Sequence, residues 1–146
     1  MLNEVTLKIP QSNEFLATKH ASISFIPASK IAICTVNAAY IPITDFKELF
    51  GKISELVEKE KITKFIFDKR RMTIFHQPSM EWYHLNWKQE MYTVGLKSHR
   101  KLLPNDKLFE QSVITGRKKI ARENPDFKFE KFDIQYCNSL EEAITK

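Results

Sequence analysis

The sequence predicts an α/β sandwich: one domain over residues 1–146, with a mixed sheet of about five strands covered by about four helices. Three observations carry this. Short apolar runs with strand character recur between longer segments of helical period. The chain has 146 residues, enough for one core of ordinary size. Eleven phenylalanines supply large rings to fill that core.

The elements follow in order. Val5, Leu7 and Ile9 alternate with polar residues before Pro10, the pattern of a short or edge strand. Ala21, Ile23 and Phe25 alternate again, Pro27-Ala28-Ser29 breaks the run, and Ile31 to Val36 resumes it, which predicts a hairpin. Asp45 with Glu48 resembles a capping box for a helix in which Phe46, Leu49, Phe50, Ile53, Leu56 and Val57 keep the helical period to about Lys61. Ile62 to Asp68 is the next strand. A strand–helix–strand unit cannot close as a hairpin, so it implies a parallel, right-handed crossover.

Pro78 suits the first turn of a second helix, from Ser79 to Val94 with Gly95 near its end. Met80, Tyr83, Trp87, Met91 and Val94 share one face of it, the expected core stripe. His99 to Leu103 reads as a strand closed by Pro104. Asp106 caps a third helix that stops at Asn124-Pro125. Phe127, Phe129, Phe132, Ile134 and Tyr136 make a last strand pair or one bent strand. Ser139-Leu140-Glu141-Glu142 is a capping box that opens a terminal helix. Gly51 and Gly116 fall inside helices, where glycine costs about 1 kcal/mol relative to alanine, so a close approach of neighbours is expected at both.

Composition excludes several classes. The net charge of +5, from 23 Lys+Arg against 18 Asp+Glu, is too mild to imply nucleic acid by itself. The basic residues Arg117, Lys118, Lys119 and Arg122 lack the interleaved aromatics of a single-strand binder and read as a solvated helix face. Three glycines cannot write a phosphate loop or a dinucleotide fingerprint. The histidines His20, His76, His84 and His99 form no metal-ligand spacing, so no metal or cofactor is expected. Cys34 and Cys137 lie in apolar runs and are expected as buried thiols. No basic-then-apolar leader follows Met1, and no run approaches the roughly 18 apolar residues of a membrane helix. A cytoplasmic protein is expected.

Two candidate surfaces stand out. The first is Asp68 with Lys69, Arg70 and Arg71, at the carboxyl end of an apolar strand where ligands usually dock in α/β sheets, and with His76 nearby. Such cations favour an anionic ligand or an acidic partner, although a solvated loop also explains them. Asp68 itself either pairs with one of these cations or caps a turn. The second surface is the other face of the second helix, Trp82, Leu85, Tyr92 and Leu96. It is either buried against the same chain, a homodimer contact or the wall of an apolar pocket.

The order of elements resembles the STAS fold, the anti-sigma-factor-antagonist-like domains. It is most similar to the bacterial STAS-like group related to CRAL–TRIO lipid carriers. The resemblance is carried by the opening hairpin, the helix from Asp45, the strand ending Phe67-Asp68, and the closing Ser139-Leu140-Glu141-Glu142-Ala143-Ile144. It implies a non-enzymatic regulatory or interaction module. Antagonist-type members carry Asp-Ser-Ser/Thr-Gly after the central strand and are switched by phosphorylation of the hydroxyl. Here Lys69-Arg70-Arg71 follows Asp68, so the resemblance implies a rim without the phospho-switch. The alternatives are an apolar-ligand carrier with an enclosed cavity of some hundreds of Å³, and a small enzyme using Asp68 or His76 with a second titratable group.

Overall fold

The computed structural model describes residues 11–146, so the strand expected over Val5, Leu7 and Ile9 lies outside the described residues. Six strands form one mixed sheet in sequence order: β1 (Asn13–Ala17), β2 (Ala21–Ile26), β3 (Ile31–Val36), β4 (Lys64–Asp68), β5 (Ser98–Leu102) and β6 (Asp133–Tyr136). The first three are antiparallel, and β3 to β6 run parallel. The sequence missed β1, because Asn13-Glu14-Phe15-Leu16-Ala17 does not alternate. A register shift between Glu14 and Leu16 explains the broken pattern.

The helices are α1 (Ile43–Glu60), α2 over 77–93, α3 (Lys107–Glu123) and α4 (Leu140–Thr145). Each of the first three joins neighbouring parallel strands in a sheet that grows in one direction. Right-handed crossovers then place all three on one face. The packing agrees: Phe46, Phe50, Met80, Tyr83, Trp87, Phe109 and Val113 share a cluster with Ala32, Cys34, Phe65 and Phe67. On the other face, Ala143 and Ile144 of α4 pack on Ile31, Ile33, Ile66 and Leu102.

Local chemistry sets the ends. Pro42 holds the N-cap position of α1 with no side-chain cap, so Asp45 is not the capping residue expected; it sits in the first turn, where a carboxylate favours the helix dipole. Lys61 ends α1 in the left-handed region at φ 55°. Asp106 accepts hydrogen bonds from the Leu108 and Phe109 amides, as a capping residue should. Ser139 accepts from the Glu142 amide, and Glu142 returns the bond one residue earlier than expected, to the Asn138 amide. Phe127 and Phe129 precede the last strand instead of joining it. A 3-10 turn over Phe129–Lys131 intervenes.

α2 is not a uniform helix. Residues Gln77–Trp82 and Gln89–Thr93 are α-helical, and Tyr83–Lys88 is a π-helix. The wider turn brings Tyr83, His84, Trp87 and Lys88 to the buried side together. Val94, expected in the core stripe, is exposed beyond the helix end.

The core is filled by rings. Phe50 alone meets Phe46, Phe65, Phe67, Trp82, Tyr83 and Trp87 at centroid separations of 4.5 to 6.4 Å. The Trp87 indole N–H donates to the Phe50 carbonyl at 3.1 Å and to Ser54 Oγ at 2.9 Å.

Of the two helical glycines, one fulfils its expectation. A Cβ on Gly116 would collide with Gln77 Oε1 and lie 2.9 Å from the Phe75 ring. Gly51 has open space around it, so close packing does not explain it. Gly116→Ala should therefore destabilise the fold by about 1–3 kcal/mol, read as a lower urea midpoint. Gly51→Ala should raise the midpoint slightly through helix propensity.

Candidate functional site

The Lys69-Arg70-Arg71 run divides at the end of β4. Strand alternation sends Phe65 and Phe67 into the helix layer and Ile66 to the opposite face. Lys69 continues the first row and is 2 % exposed, its Nζ 5.0 Å from the Phe67 ring centroid. Asp68 accepts from the Arg70 amide, and its carboxylate takes Arg70 Nε at 3.0 Å and Nη2 at 2.8 Å in a forked pair. Arg71 is exposed and reaches Asn37 Oδ1 at 3.4 Å. His76 Nδ1 lies 2.8 Å from Ser79 Oγ, and its ring meets Tyr40 edge-on. The five rim residues thus do different work: Asp68 and Arg70 lock the turn, while Lys69 is driven inward.

What Lys69 meets was not foreseen. The register aligns Cys34, Phe67, Lys101 and Tyr136 across β3 to β6. Lys101 therefore faces the helix layer beside the end of β4. Lys88 descends from the π-helical turn of α2. Lys88 Nζ is 4.8 Å and Lys101 Nζ 4.6 Å from the Tyr83 ring centroid. Lys88 and Lys101 are 0 % and 2 % exposed. From α3, Arg117 stacks on Phe129 at 4.4 Å and donates to Tyr136 Oη at 2.9 Å. Within the sheet, Arg100 is buried on the opposite face and pairs with Asp133 at 2.9 Å.

Three buried lysines in one cluster have large electrostatic consequences. Burial, helped by the charge of Arg117, pulls the Lys69 ammonium down to about 8. Burial, then Arg117 and Lys69, holds Lys88 well below the ordinary lysine range, partly opposed by the close approach of Lys101. Lys101 falls well below that range too, from burial and then from Lys88, Lys69 and Arg117. Burial, then Lys88 and Lys101, push His84 and His99 well below the usual histidine range, with Lys69 and Arg117 adding at His84 and Arg100 at His99. Burial raises the Tyr83 phenol well above its ordinary value. The Lys88 Nζ, Tyr83 hydroxyl, His84 Nδ1 and both His99 ring nitrogens are buried without a hydrogen-bond partner among the described residues.

Two spaces adjoin this cluster. A small cavity of about 10 Å³ is lined by Lys69, His84, Lys101, Arg117 and Tyr136 with Phe75, Met80, Val113, Gly116 and Ile120. None of these is a carboxylate. Outside it, an open groove of about 700 Å³ runs between α3 and the β6–α4 connection. Arg70, Glu110, Asn105 and Asn138 supply its polar groups, and Leu103, Pro104, Val113 and Ile114 its apolar ones. Arg117, Tyr136 and Val113 line both spaces and form the wall between them.

The second sequence-derived surface is largely taken up by the fold. Leu96 is fully buried in the main core, so it offers nothing to a partner. Trp82 packs edge-on against Phe46 and Phe50. Leu85 and Tyr92 pack on the cluster of Ile120, Phe127 and Phe132. The two-sided apolar character of α2 reflects its position between α1 and the segment after α3.

Cys34 and Cys137 are both free and buried; burial, reinforced by Asp68, pushes the Cys34 thiol up to about 12. Among the described residues no three His, Cys, Asp or Glu side chains converge as a metal site. No helix of the described residues is long and apolar enough to cross a membrane. Comparison with protein-family models, curated proteins and solved structures finds no match to this chain.

Proposed function

We propose that the chain is a STAS-like recognition module that binds a small organic anion in the groove at the carboxyl ends of β4 to β6, without a phosphorylatable switch. One observation carries the reading. Lys69, Lys101 and Arg117 line a cavity behind that groove with no carboxylate in its wall, and the buried Lys88 lies close enough to share their charge. A buried ammonium without a counter-charge costs several kcal/mol, and a bound anion is one way to offset that cost. The groove's size lies within the range of small-molecule sites. Its arginines suit a carboxylate and its Leu, Pro, Val and Ile lining suits an aliphatic body.

This supports a small anion in place of the enclosed-cavity carrier. Phenylalanine, tyrosine and tryptophan rings occupy the helix layer, and the two small cavities beside Lys69 are each about 10 Å³. Octanoate is a suitable probe. Titrated into isotope-labelled protein, it should shift the amide resonances of Leu103 and Asn105 and of residues 113–117 and 136–138. Arg70→Gln should weaken binding tenfold or more, as expected for loss of a charged hydrogen bond worth about 1.5–3 kcal/mol. Shifts confined to other surfaces, or equal affinity in the variant, would reject the groove as the site.

A further inference from the structure

The small cavity behind Arg117 differs in kind from the groove in front of it. We infer that this cavity is a receptor for a single monatomic anion of halide size, held by Lys69, Lys101 and Arg117. The inference deepens the proposed anion-binding reading and rests on it.

Size decides the class. A space of about 10 Å³ admits roughly one water-sized occupant. A carboxylate or phosphate group needs several times that volume and would have to displace the Arg117–Tyr136 wall. That wall is held by the 2.9 Å hydrogen bond to Tyr136 Oη and by stacking on Phe129.

Charge decides between the occupants that fit. A halide is a single sphere, larger than water but the most compact of the common anions, and water carries no charge to set against the cations. The cavity wall brings Lys69 from β4, Lys101 from β5 and Arg117 from α3, with no Asp or Glu among them. Asp68 is the nearest carboxylate in sequence, and it is committed to Arg70 by the forked pair. His84, 3 % exposed, lines the same cavity with an unpartnered Nδ1. As a donor tautomer it would add one more hydrogen bond to an anion. The remaining lining of Phe75, Met80, Val113 and Ile120 is apolar, which keeps the occupant dry and strengthens each contact.

The test uses the full chain at fixed ionic strength, with gluconate, an anion too large for the cavity, replaced stepwise by bromide. The urea midpoint should rise and saturate with bromide, and Lys101→Met should lose at least nine-tenths of that rise. Bromide-soaked crystals of the unaltered protein should show an anomalous peak between Lys69, Lys101 and Arg117, an outcome independent of whether the variant folds. No saturable rise, an undiminished rise in Lys101→Met, or a cavity without anomalous signal would each overturn the halide site. If bromide fails while octanoate still binds the groove, only this inference falls. If both fail, the anion-binding reading falls with it.

Discussion

Lys88→Met is expected to make the protein more stable, by about 1–4 kcal/mol in a buffer of bulky anions. Lys88 is fully buried, its amine has no hydrogen-bond partner among the described residues, and Arg117 and Lys69 repel its charged form. Methionine keeps most of the unbranched stem against Tyr83 and Phe132 and removes the desolvated amine. The usual result of changing a fully buried residue is a loss, so the sign is diagnostic. Urea unfolding with an unchanged slope and a higher midpoint is the expected result. A loss of more than about 1 kcal/mol would show that the amine makes stabilising contacts and would count against an uncompensated cationic cluster.

The second large effect is on pH dependence. Lys69 titrates near 8 in the folded chain against 10.5 for a free lysine. Above pH 8 the unfolded chain holds a proton that the folded chain has released, so stability rises with pH. The slope from Lys69 approaches about 1.4 kcal/mol per pH unit between pH 8 and 9. Lys88 and Lys101 are shifted in the same direction and add to the rise below their ordinary lysine value. His84 and His99 also have lowered values, so acidification below their ordinary 6.5 costs stability in the same sense. Cys34 and Tyr83 face the cluster and act oppositely, because their folded values are raised; their contribution is lost as pH climbs above 9 and 10. The clean window is therefore pH 7 to 9, bounded above by the ordinary cysteine value, where urea midpoints should climb. A flat or falling profile there would mean that the lysines keep ordinary affinities for protons.

Much of the fold was legible because it depends on local signals. The alternation in β2, the turn at Pro27, the apolar stripe of α1 and the caps at Asp106 and Ser139 each act within a few residues. β1 was illegible because its pattern is broken by a shift in pairing that only its partner strand reveals. The site was half legible. Phe67-Asp68 marks the rim, and the alternation Phe65, Phe67, Lys69 does signal that Lys69 points inward. The same alternation pairs His99 with Lys101, but both are polar, so a buried row reads as a solvated one. Lys88 was hidden by the π-helical turn. At a uniform 100° per residue it leaves the core stripe, whereas the wider turn returns it to the buried side beside Tyr83. Arg117 resembled its solvated neighbours, and only the tertiary stack on Phe129 separates it from them.

The account turns on whether the buried amines are uncompensated and respond to an anion. Side-chain NMR of isotope-labelled lysine measures this directly, by following each ammonium signal against pH with and without bromide. Three lysines should titrate below 10.5, with Lys69 near 8, and bromide should move Lys69 and Lys101 upward. If Lys69, Lys88 and Lys101 all titrate at ordinary lysine values and ignore bromide, the cluster is neither desolvated nor an anion receptor.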